Sequence, residues 1–164
     1  KTSNLIFTLN KFVLVDKHKN PVYESLIEKV ESLVKRWRER IKKGESVTEE
    51  YKEAKEISEE IVIIQENKKR LQLTDEQMSI WLTIKKGLNI EMDQELLDSL
   101  KELFIELKQE MIPGWSKNTE LRKSIETKLR QFLFLKVKTK YPITLEKINE
   151  IHSGISDKIV SYEA

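Results

Sequence analysis

From Asn20 onward, apolar residues return every three or four positions and are nowhere held in sustained alternation with polar ones. That period belongs to helices with one dry stripe, whereas a half-buried strand needs a period of two. Positions 22, 26, 30, 33, 37 and 41 make one near-heptad stripe, and 47, 51, 54, 57, 61, 64 and 71 make a second. Only four glycines and three prolines interrupt 164 residues, which suits long helices joined by short loops. The expectation is an all-α helical bundle of about six to seven mostly antiparallel helices.

The boundaries follow from local chemistry. Asn20-Pro21 reads as a helix start, since Asn caps and Pro fits the first turn. Gly44 after Lys42-Lys43 reads as a C-terminal stop. Ser46-Val47-Thr48-Glu49 and Thr74-Asp75-Glu76-Gln77 have the capping-box pattern. The helix after Thr74 carries Met78, Trp81, Leu82 and Ile84 and is expected to close near Gly87. Asp93 caps the next, with Leu96, Leu97, Leu100, Leu103, Phe104, Leu107 and Met111 inward, until Ile112-Pro113-Gly114 breaks it. Ser116 is expected to cap a helix with Leu121, Ile125, Leu129, Phe132 and Leu133 inward, ended by Tyr141-Pro142. Thr144 caps a last helix with Leu145, Ile148, Ile151, Ile155 and Ile159. Residues 4–15 fit a helix up to Lys11 and either a helix or a short extended piece after it.

No linker or repeat interrupts this pattern, so residues 1–164 are read as a single helical domain. The chain begins at Lys1 rather than Met, and the reading takes it as a C-terminal fragment of a larger multidomain protein. It has no cysteine, which removes disulfides and Cys-based zinc sites. No apolar run reaches the roughly 20 residues that cross a bilayer, so no membrane is expected and a cytoplasmic location is the default.

Catalytic motifs are missing. There is no Gly-rich phosphate loop and no His-Glu metal pattern. His18 and His152 stand alone. The acidic set Glu49, Glu50, Glu53, Glu56, Glu59 and Glu60 reads as a solvated face paired along its own helix with Lys52 and Lys55. No catalytic, cofactor-binding or metal residue is assigned in this chain.

The charge is segregated. Between Lys117 and Lys140 stand eight Lys/Arg against Glu120 and Glu126, about +6 in a chain whose net charge is +2. Lys117, Arg122, Lys123, Arg130 and Lys138 are the candidate contacts, to an acidic protein partner or to nucleic-acid phosphates. A solubilising Lys-rich face is the plain alternative. No aromatic is read on the polar face, and no helix-turn-helix spacing is evident. Trp115 before the helix start reads as a structural staple, and Trp37 and Trp81 on apolar stripes read as core.

The order Trp115-Ser116-Lys117, Leu121-Arg122, Leu129 to Leu133, Tyr141-Pro142 resembles the C-terminal helical domain of the motor (restriction, R) subunit of type I restriction-modification enzymes. Asn20-Pro21-Val22-Tyr23-Glu24-Ser25-Leu26 and Leu73-Thr74-Asp75-Glu76-Gln77 are similar to two upstream pieces of that family. The likeness covers roughly residues 20–160, though Gly114 stands where the family usually has Asp. It implies a parent that is an ATP-dependent type I site-specific deoxyribonuclease, with its endonuclease, its translocase and its ATP and Mg sites in other domains. This chain would then be the assembly domain that docks the motor onto the methyltransferase and specificity subunits. The alternative is a stand-alone helical nucleic-acid-binding protein using residues 117–140.

Overall fold

A computed structural model describes residues 2–15 and 21–163 of the chain. It is all-helical, with seven α-helices and no strand among the described residues: α1 (Thr2–Leu9), α2 (Glu24–Lys42), α3 (Thr48–Leu71), α4 (Asp75–Leu88), α5 (Gln94–Lys108), α6 (Thr119–Phe132) and α7 (Leu145–Glu163). None of these helices is long and apolar enough to cross a membrane. The residues group into two compact units, 1–76 and 77–164, with the dividing point just inside α4. The sequence, which reads as one domain, carries no linker there.

In the first unit α1 and α2 pack on α3. Asn10–Val15 continues α1 as a π-helical turn, where a short extended piece was an open alternative. Asn20 lies outside the described residues. Pro21–Tyr23 forms a 3₁₀ turn ahead of α2. Val22, Leu26, Val30 and Leu33 bury the expected stripe, while Trp37 is only half-buried and Ile41 is exposed, so the stripe leaves the core in the last turns of α2. Gly44 takes a left-handed φ of 69°, and the Glu45 N–H returns to the Arg40 carbonyl, as a glycine stop requires.

The Ser46 box does not form as written. The helix begins at Thr48, and the Ser46 hydroxyl accepts from the Thr48 N–H at 3.4 Å. The acidic face of α3 departs from expectation in part: Glu49, Glu56 and Glu59 are exposed as read, whereas Glu50, Glu53 and Glu60 reach across to α2. Glu50 is 1% exposed, 3.0 Å from Arg40 Nε and 3.8 Å from Arg36. Glu53 meets Arg36, and Glu60 meets Lys29 at 3.0 Å. Residue numbers rise on one helix as they fall on the other, so α2 and α3 are antiparallel.

In the second unit the pairs α5/α6 and α4/α7 are antiparallel on the same test. Lys140 meets Asp93 while Lys128 meets Glu110, and Gly87 lies against Ile151 while Thr83 lies against Gly154. α4 closes near Gly87, as read, but the glycine is not the residue that turns the chain. The helix runs to Leu88, and Asn89 takes the left-handed position with φ 54°. Gly87 serves packing instead: a Cβ there would lie 2.5 Å from Ile151 Cγ1. Trp81 and Trp115 are fully enclosed. Asp93 and Thr144 cap α5 and α7 as read, accepting the N–H groups of Leu96 and Lys147. Leu145, expected inward, is exposed.

Candidate functional site

The basic segment is built in three pieces. Pro113-Gly114 breaks the chain, with Gly114 at φ 85°. Trp115–Lys117 forms a single 3₁₀ turn that sinks the indole and leaves Lys117 exposed. The cap of α6 is Asn118 and not Ser116. The Asn118 carboxamide oxygen accepts the Leu121 N–H at 3.1 Å, whereas the Ser116 N–H donates to Glu163 at 3.2 Å. After Phe132 the helix widens into a π-helical stretch, Leu133–Val137, which keeps both Leu133 and Val137 buried.

Ile125, Leu129 and Phe132 seat α6 on its unit. On one flank Ser124 donates to Glu110 at 2.8 Å, and Lys128 reaches Glu110 at 3.0 Å and Glu106 at 3.6 Å. The Ser124 and Lys128 bonds lower the Glu110 pKa, and the same contact raises that of Lys128. Lys128 is therefore a tie between α5 and α6.

The opposite face is different. At 100° per residue, Arg122, Glu126, Arg130 and Lys123 fall within an arc of about 100°. All but Glu126 are exposed. Arg122 pairs with Glu126 at 3.1 Å. Lys123, Arg130 and Lys138 make no ion pair among the described residues. Arg130 and Lys138 instead flank the half-buried ring of Phe134, at 5.6 and 5.3 Å from its centroid. Arg122, Lys123 and Arg130 thus share one side of α6, and Lys138 is linked to Arg130 through Phe134. Lys117 stands apart, on the turn ahead of α6.

Phe134 corrects the reading that no aromatic sits on the polar face. The signal was present, since Arg130, Phe134 and Lys138 follow at intervals of four. It was hidden in the apolar run Phe132-Leu133-Phe134-Leu135, where alternate faces cannot be told apart by composition.

The far end of the segment is fixed by Asp93, Lys140 and Tyr141. The Asp93 side chain is 7% exposed and lies 2.9 Å from Lys140 Nζ. Its Oδ1 accepts the Leu96 N–H and its Oδ2 accepts the Tyr141 hydroxyl. Removal from water pushes the carboxyl pKa up, but the bonds from Tyr141, Lys140 and Leu96 outweigh it and hold it down at about 2. Their own bonds to Asp93 raise the pKa of Tyr141 and that of Lys140. Tyr141 is therefore a cross-link; the helical turns end at Val137, ahead of the expected stop at Tyr141-Pro142, and Pro142 is exposed.

The arrangement offers fixed cations beside an aromatic ring, which is a binding chemistry. Among the described residues no group of three His, Cys, Asp or Glu could hold a metal ion. His152 Nε2 lies 2.8 Å from the Glu126 carbonyl, within the packing of α7 on α6. No protein-family model, curated protein or solved structure matches this chain.

Proposed function

We propose that this chain is a non-catalytic assembly domain of a type I restriction motor subunit. It would dock the ATP-dependent DNA translocase and nuclease onto the methyltransferase–specificity complex through the outward face of α6. One observation supports the docking face. Lys128 and Lys140 are engaged by carboxylates of the same unit, whereas Lys123, Arg130 and Lys138 have no such partner among the described residues and are exposed. Unpaired cations held on one helix face raise the rate and selectivity of association with an acidic surface. The family assignment rests on the motif order from Asn20 to Pro142.

The test is co-elution of the purified chain with a methyltransferase–specificity complex in size-exclusion chromatography. Co-elution that is lost in the double variant Lys123→Glu, Arg130→Glu is the expected result. No association by the wild-type chain overturns the reading.

A second reading, a helical nucleic-acid-binding protein, is favoured by Phe134 between two cations. Tight duplex binding by the isolated chain, falling with a log–log salt slope of roughly −0.9 per phosphate contacted and without affinity for the methyltransferase, would establish it.

A further inference from the structure

We infer that Arg130, Phe134, Leu135 and Lys138 seat an acidic amphipathic helix of a partner protein. The inference rests on α6 being a docking face and adds the chemistry of what docks. No Asp or Glu occurs from Thr127 to Leu145. Within that run Lys128 and Lys140 are held by Glu110 and Asp93, which leaves Arg130, Lys136 and Lys138 without an ion pair among the described residues.

Two features select a helix over a nucleic acid. Leu135 is 67% exposed beside the half-buried Phe134. An exposed leucine gains from an apolar side chain, which a phosphate backbone does not present. Lys123, Arg130 and Lys138 also recur about two helical turns apart. Carboxylates two turns apart on a packed helix meet that spacing, with an apolar residue between them over Phe134 and Leu135.

The test uses the full chain and three probes in fluorescence anisotropy. One is a labelled alanine-rich helical peptide with glutamates two turns apart and a leucine midway between them. The second is the same peptide with glutamine for glutamate. The third is an oligo-dT strand. The glutamate peptide should bind more tightly than the glutamine peptide. Leu135→Ala, a surface change that leaves the fold intact, should weaken it about tenfold. Arg130→Gln with Lys138→Gln should erase the difference between the two peptides.

Equal binding of the two peptides overturns the inference, as does indifference to Leu135→Ala. So does oligo-dT binding that falls with Phe134→Ala while the peptides do not bind. The methyltransferase–specificity complex separates the two claims. Its loss from Lys123→Glu, Arg130→Glu but not from Leu135→Ala would keep the docking reading and remove this inference. Peptide binding without binding to that complex would do the reverse.

Discussion

The hydroxyl of Tyr141 donates to the carboxylate of Asp93 across 48 residues of chain. The same carboxylate caps α5 and meets Lys140. One side chain therefore starts a helix and anchors the end of the basic segment.

This sets an acid sensitivity. A carboxyl whose folded pKa is depressed contributes stability above its unfolded pKa and loses it as pH falls through the folded value. For Asp93 that window runs from 3.8 down to about 2. A shift of that size is worth about 2 kcal/mol. Tyr141→Phe should cost about 1–2 kcal/mol at neutral pH and shallow the loss of stability in that window. Urea titrations at stepped pH check it, and an unchanged pH profile in the variant would refute it.

Gly87→Ala tests the close approach of α4 to α7. Alanine favours a helix by about 1 kcal/mol over glycine, so propensity alone predicts stabilisation. The new methyl would meet Ile151 Cγ1 at 2.5 Å and Cδ1 at 2.6 Å, and Ile151 is buried. A net loss of about 1–3 kcal/mol is expected. Adding Ile151→Ala should recover part of it, and additive losses in this double-mutant cycle would show that the clash is relieved elsewhere.

Trp81→Ala should cost about 3–5 kcal/mol, as large-to-small changes at enclosed positions do. The residue has no exposed surface. Trp37→Ala should cost less, because that indole is half-buried. Denaturant midpoints at unchanged slope rank the two.

The cations of the basic segment should divide into two sets. Lys128→Ala should lower the melting temperature, since it releases Glu106 and Glu110. Lys123→Ala should leave the melting temperature unchanged and act only on association, because Lys123 is exposed and has no ion pair among the described residues. Thermal melts of the two variants side by side distinguish the roles.

The helical class and most breakpoints were legible in the sequence because they depend on neighbours within a turn or two. Gly44 stops a helix, and Asp93 and Thr144 each cap one, by a local conformational preference; α5 ends at Lys108, ahead of the expected break at Ile112-Pro113-Gly114, and leaves Met111 outside it. The excess of cations after Lys117 was legible too, since charge is counted directly. What only tertiary structure decided concerns partners distant along the chain. Lys128 and Lys123 are equivalent as letters, and only the placement of Glu106 on α5 and Glu110 just after it makes one a tie and the other a contact. Glu50 and Glu53 of α3 had lysines close by in sequence yet pair across to α2, where Arg36 and Arg40 lie at the same height. Gly87 reads locally as a stop and serves as a gap for Ile151. Periodicity encodes which face of a helix is dry; the atom that meets each side chain depends on how the helices are set against one another.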